Sequence, residues 1–196
     1  MKKIILVFAV ATLVFSVTLF SQFKKYDIKS GKVSYETVMK MGTFEMKTKS
    51  IVYFDEYGMK ECRETYTNGK LGDSFLSDGK DLYVLKHASK KAFKQGPAYR
   101  GTELRVAPEQ FGTEKDFASG KIKKTPARKI AGKACDMFET NDGKGTVTQY
   151  GGWNKILMYL HMTSKSIESM QSATKVEENA QVPAEKFTVP KGYAIQ

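Results

Sequence analysis

From residue 30 onward the chain alternates apolar and polar residues with a period of two, and no proline falls between residues 22 and 96. That period sends successive side chains to opposite faces of an extended strand, and a proline-free backbone keeps every ladder hydrogen bond available. The pattern is plainest over 44–54. There Phe44, Met46, Thr48, Ser50, Val52 and Phe54 share one parity, while Glu45, Lys47 and Lys49 take the other. Residues 33–39 alternate as well, and Met41-Gly42 separates the two stretches, which predicts a long β-hairpin. Further strand-like runs cover 59–67, 74–76, 82–85 and 92–93, punctuated by Tyr57-Gly58, Asn68-Gly69 and Asp78-Gly79. Those dipeptides supply the positive φ of tight turns, so this half reads as a meander of about five or six antiparallel strands.

Pro97 interrupts the pattern. Residues 99–120 hold Leu104, Val106, Phe111 and Phe117, with Pro108 and Gly112 between them, and predict one or two short helices. Strand patterns resume at 128–130, 133–140, 146–150, 156–163 and 172–178, with Asp142-Gly143 as a turn. The run Ile156-Leu157-Met158-Tyr159-Leu160-His161-Met162 is apolar on both faces, which fits either a central strand covered twice or a strand with one face on a cavity. Residues 182–193 should be ordered, because Phe187, Val189 and Tyr193 can pack. No linker or repeat divides 22–196, so it reads as one mainly β domain of the α+β kind, with its helices inserted near 99–120.

The amino terminus has a different logic. Met1-Lys2-Lys3 precedes an apolar run from Ile4 to Phe20, after which Ser21-Gln22 opens a polar chain. A short positive start, an apolar run and a small residue at the exit make a secretory signal over 1–21, cleaved after Ser21. The run is shorter than the ~20 residues of a spanning helix, the alternative being a retained anchor. No cysteine lies at the exit, so lipidation there is not expected, and no second apolar run follows. The exported chain is therefore expected in the periplasm or at the outer envelope, and not as an integral membrane protein.

Export exposes Cys62 and Cys135 to an oxidising compartment, where a bridge would close a loop worth up to about 4 kcal/mol. Two separate thiols are the other reading. His87 and His161 lack any metal-ligand spacing, and no nucleophile elbow, phosphate-binding loop or dinucleotide fingerprint occurs. No cofactor, metal or catalytic residue is indicated.

The chain has 32 Lys+Arg against 21 Asp+Glu, a net charge of +11. The excess is local. Lys86, Lys90, Lys91, Lys94 and Arg100 occupy one window without acids, and Lys121, Lys123, Lys124, Arg128, Lys129 and Lys133 occupy another. Brought together they would form one basic patch facing an anionic envelope surface; kept apart they are solvated loops. Export disfavours nucleic acid as the partner.

Four segments occur in a telling order: Ile130-Ala131-Gly132-Lys133-Ala134-Cys135-Asp136, Gly152-Trp153-Asn154-Lys155-Ile156-Leu157-Met158, Ala173-Thr174-Lys175-Val176-Glu177-Glu178-Asn179, and the run from Val182 through Pro183, Phe187 and Pro190 to Tyr193. Together with the run from Ile51 to Glu61 they resemble a family of exported bacterial proteins with no assigned function. Where that family has Gly-Ile-Pro-Leu after the tryptophan, this chain has Asn154-Lys155-Ile156-Leu157. More remotely, the order strands, short helices, strands is similar to the periplasmic lipoprotein-carrier superfamily. That likeness implies a strongly curved antiparallel sheet, a half-barrel, around helices, with an apolar space that holds acyl chains.

Two functions are then in play. One is a non-catalytic binding protein holding a lipid or other apolar ligand between sheet and helices, with Phe44, Met46, Val52, Phe54, Leu82, Val84, Ile156, Met158 and Leu160 as cavity residues. The other is a structural protein docking on anionic envelope partners through its basic residues.

Overall fold

The computed structural model describes residues 24–98 and 114–196. These form one twelve-stranded sheet: β1 (Gly31–Met41), β2 (Phe44–Asp55), β3 (Lys60–Thr67), β4 (Lys70–Asp78), β5 (Asp81–Lys86), β6 (Lys91–Pro97), β7 (Ile122–Ile130), β8 (Lys133–Asn141), β9 (Val147–Trp153), β10 (Ile156–Thr163), β11 (Ile167–Glu178) and β12 (Ala194–Ile195). The order across the sheet is β12-β6-β5-β4-β3-β2-β1-β11-β10-β9-β8-β7. All neighbours are antiparallel except β12, which runs parallel to β6. Each half of the chain is thus a meander, and β1 and β11 join them.

The turn dipeptides act as the sequence predicts. Asn68 and Gly69 both take positive φ, at 50° and 74°, and link β3 to β4. Asn154 and Lys155 do the same between β9 and β10, at 48° and 62°, so two residues without glycine make the turn. Several strands extend further than their patterns, among them β4, β6, β7 and β11. β7 begins at Ile122 and carries Pro126, which is tolerated because β7 ends the strand order and is bulged between Thr125 and Arg128. β11 begins at Ile167, where it meets Met41 of β1. Of the predicted helical region, Glu114–Ala118 is a short helix, and 99–113 lie outside the described residues, as does the leader.

One cross-strand contact demonstrates the curvature. Arg63 of β3 donates from Nη2 to Oε1 of Gln171 on β11 at 2.6 Å. With β2 and β1 between them, a flat sheet would separate these strands by ~14 Å, and the register adds several residues along the strands. Two side chains bridge that gap only when the sheet curls toward their face. Bulges at Ser34/Tyr35, Glu64/Tyr66, Leu82/Tyr83 and Leu157/Tyr159 supply local bends, and the sheet stays unclosed as a half-barrel.

Two cores result. Tyr26, Ile28, Val33, Tyr35, Val52, Phe54, Met158 and Ala173 belong to one, which continues into Ile130, Cys135, Met137 and Tyr159 of the second meander. The other lies on the opposite face of β3 to β6, where Cys62, Leu76, Tyr83, Leu85 and Ala92 are covered by Phe187, Val182, Val189 and Tyr193. His87 fastens that cover, bonded through Nε2 to Ser74 Oγ and through Nδ1 to the Tyr193 hydroxyl, both at 2.8 Å. Gly151 is required for a close approach: a Cβ there would stand 2.7 Å from Met137 Sδ and 3.0 Å from Tyr159 Cβ. Gly151→Val should therefore cost about 2 kcal/mol and lower Tm by roughly 4–8 °C in a melt followed by near-UV circular dichroism.

The bridge that two cysteines allow is not formed. Cys62 and Cys135 are free, buried and held in different clusters, because β3 and β8 stand six places apart in the strand order. Burial pushes the Cys62 thiol up to about 12 and raises that of Cys135 as well. Neither should react with a thiol-specific disulfide reagent at pH 8 in the native protein, and both should react in denaturant.

Candidate functional site

The register sorts the sheet's side chains by face. On one side of the chain of pairs stand Val33, Val52, Arg63, Phe75 and Val84, each directly opposite the next. Two residues along, Phe54, Glu61, Ser77 and Leu82 form a second such row on the same face. Toward the β1–β2 tip, Met46 faces Met39 and Phe44 faces Met41. Across β1, Gln171 faces Leu160, which faces Tyr150. This is the concave face, since it carries the Arg63–Gln171 bridge.

One end of the concavity is closed. Residues ahead of β1 cross it, with Tyr26 N donating to Tyr57 O at 2.9 Å and Asp27 N to Asn154 O at 3.1 Å. Tyr26 drops its ring against Phe54, 4.9 Å between centroids. Among the described residues the other end is open and apolar: Met41 and Phe44 are 42% and 54% exposed, and Phe75 in the middle of the face is 37% exposed. Single exposed apolar residues are ordinary, but these share one face with half-buried Met39, Met46, Leu82 and Val84.

A polar inlay lies within the apolar lining. Buried Glu61 accepts from Lys25 Nζ at 2.8 Å and from the Tyr26 hydroxyl at 2.6 Å. The Tyr35 hydroxyl donates to the Leu157 carbonyl at 2.9 Å. Burial holds both tyrosine hydroxyls protonated far above their ordinary range, with the Glu61 charge adding to the effect. Ser50 Oγ and Gln171 Nε2 are buried and have no hydrogen-bond partner among the described residues. A cleft of about 660 Å³ follows the middle of β1 and β2, between 34–38 and 47–51, touches Tyr35 and Ser50 of this inlay, and reaches Tyr66 and Gly69.

Of the residues expected to line a cavity, Phe44, Met46, Val52, Phe54, Leu82, Val84 and Leu160 fall on the concave face. Two do not follow them. Ile156 pairs with Trp153 and takes the parity of Gly151 rather than that of Leu160, and it is buried in the same cluster as Val52 and Phe54. Met158 is the extra residue of the β10 bulge, fully buried. Period-two reading fails there because the bulge resets parity between Leu157 and Tyr159. Tyr26, Glu61, Arg63 and Gln171 were not legible as site residues. β3 is covered on both faces, with Glu61 buried on one and Cys62 on the other.

The basic windows occupy opposite ends of the strand order, on β5–β6 and β7–β8. Many of their charges are used locally. Lys86 pairs with Asp73, Lys94 with Asp81, Lys121 with Asp116, Lys124 with Asp136 and Lys133 with Glu178. Arg128 lies over the Tyr159 ring. Lys90, Lys91, Lys123 and Lys129 have no carboxylate partner among the described residues, and Arg100 lies outside them. Among the described residues no group of three or more His, Cys, Asp or Glu could hold a metal, and no helix is long and apolar enough to cross a membrane.

No family model matches this chain, and no curated protein matches it. Solved structures do. An uncharacterized conserved protein from Thermus thermophilus superposes with a TM-score of 0.53 at 6% identity, over 84% of this chain and 89% of the other. A LolA superfamily protein from Nitrosomonas europaea gives 0.42 at 12% identity, over 86% and 96%. The Mycobacterium tuberculosis lipoprotein LppX gives 0.42 at 12%, over 80% and 90%. At 6% identity the first of these is a likeness of fold alone, over most of both chains.

Proposed function

We propose that this chain is a non-catalytic exported binding protein of the cell envelope, and that it holds an aliphatic ligand against the concave face of its half-barrel. The observation that carries this reading is the register. It gathers Phe44, Met46, Val52, Phe54, Leu82, Val84 and Leu160 on one face, closed at the Tyr26 end and open at Met41 and Phe44. Burial of an aliphatic chain there would stabilise the complex by about 0.8 kcal/mol per CH₂. Docking through a single basic surface has less support, because the two windows stand at opposite ends of the strand order and much of their charge is paired.

Organic extraction of the protein purified without detergent, followed by mass spectrometry, tests the proposal. A stoichiometric acyl-chain compound, absent from an identically treated control protein, is the expected result. An extract with no such compound, together with no binding of aliphatic probes to the stripped protein, would contradict it.

A further inference from the structure

Three donors, Arg63, Gln171 and Ser50, sit together on the concave face. Ser50 is opposite Tyr35 on β1 and Thr65 on β3, so it lies diagonal to Arg63, which faces Val52. Gln171 is opposite Thr37, one diagonal step from Tyr35 on the other side. The Arg63–Gln171 hydrogen bond therefore passes across the neighbourhood of Ser50. Gln171 is 8% exposed and Ser50 4%, yet Gln171 Nε2 and Ser50 Oγ have no partner among the described residues. Leaving such groups unmet is costly in a folded protein, and unmet buried donors mark places where something else supplies the acceptor.

The donors are also unbalanced in charge. Arg63 is joined to a neutral amide oxygen, and no carboxylate forms an ion pair with it among the described residues. Glu61, in the neighbouring row of the same face, is engaged by Lys25 and Tyr26. The Tyr35 hydroxyl is engaged by Leu157. What remains is a guanidinium, an amide NH₂ and a hydroxyl, all able to donate, with Phe75, Val52 and Val84 beside them.

The geometry points to a headgroup site: Arg63, Gln171 and Ser50 receive the anionic oxygens of a single-chain amphiphile whose aliphatic part lies on the concave face. This rests on the proposed function and names the chemical class of its ligand. Arg63 supplies the charge, Gln171 fixes the guanidinium through Oε1 while offering Nε2, and Ser50 completes the set. The shared chemistry is an acceptor oxygen carrying negative charge, as in a carboxylate or a phosphate monoester.

Calorimetric titration of the stripped protein with dodecanoate, dodecyl phosphate and dodecanol, each below its micellar concentration, tests it. Either anion should bind about tenfold or more tightly than the alcohol, and the tighter of the two identifies the headgroup. Ser50→Ala and Gln171→Leu should each reduce that preference while leaving dodecanol affinity within about twofold. Ser50→Ala should keep or raise Tm, since it removes an unmet hydroxyl, so a loss of binding is not a loss of fold. Equal affinity for alcohol and anions would overturn the headgroup site and leave the apolar site standing. Unchanged preference in both variants would also overturn it. Failure of all three probes to bind would overturn the proposed function itself.

Discussion

Lys25→Met is expected to lower stability by about 3 kcal/mol, because it breaks a buried ion pair. Lys25 and Glu61 have side chains only 14% and 5% exposed, and their contact of 2.8 Å is the cation's share of a three-residue knot with the Tyr26 hydroxyl. Removing the ammonium leaves a carboxylate buried with one neutral donor. The double variant Lys25→Met/Glu61→Gln should recover most of the loss, because a glutamine oxygen still accepts from Tyr26 and carries no charge to bury. Urea denaturation of the two variants measures both terms. A double variant no more stable than the single one would mean that the segment ahead of β1 is held by packing against Phe54 and by its backbone bonds, not by this charge pair.

The second large effect concerns binding. Phe75→Ala with Val84→Ser should weaken an aliphatic ligand by about ten- to a hundredfold, the loss expected when roughly 1.5–3 kcal/mol of apolar contact is removed. The same pair should cost little stability, since Phe75 is already 37% exposed and Val84 half-buried. Leu76→Ala is the converse. Leu76 has no exposure and packs under Phe187 on the opposite face, so its truncation should cost about 2–5 kcal/mol and leave ligand affinity unchanged. Affinity measured by fluorescence displacement, alongside denaturation curves, separates the two faces. If Leu76→Ala alters affinity as much as the concave pair does, the assignment of faces is wrong.

Much of this architecture is written into residues 31–97. Parity in β2 places Phe44, Met46, Val52 and Phe54 together, and Asn68-Gly69 and Asp78-Gly79 place the turns that carry the pattern to Leu82 and Val84. Local alternation suffices there because each hairpin's register follows from its own turn. It fails in β10, where a bulge after Leu157 shifts parity between Ile156 and Leu160. It fails again in β3. Nothing in the local period marks Glu61 and Arg63 as site residues, and the crossing segment ahead of β1 and the curl of the sheet bring Tyr26 and Gln171 over them. Contacts between residues 35 and 108 positions apart are set by that crossing and by curvature, which no local period encodes. The partition of the basic residues follows the same rule: two similar windows in sequence become opposite ends of one sheet through the strand order alone.

The most direct measurement of the central claim is paramagnetic broadening of methyl resonances by a fatty acid carrying a nitroxide on its chain. Val52, Leu82, Val84 and Leu160 share the concave face, whereas Leu76 and Leu85 pack on the opposite one. At one equivalent, the first four should broaden and sharpen again on reduction of the label, while Leu76 and Leu85 stay narrow. Broadening confined to Leu76 and Leu85, or equal across all six, would contradict a ligand held on the concave face.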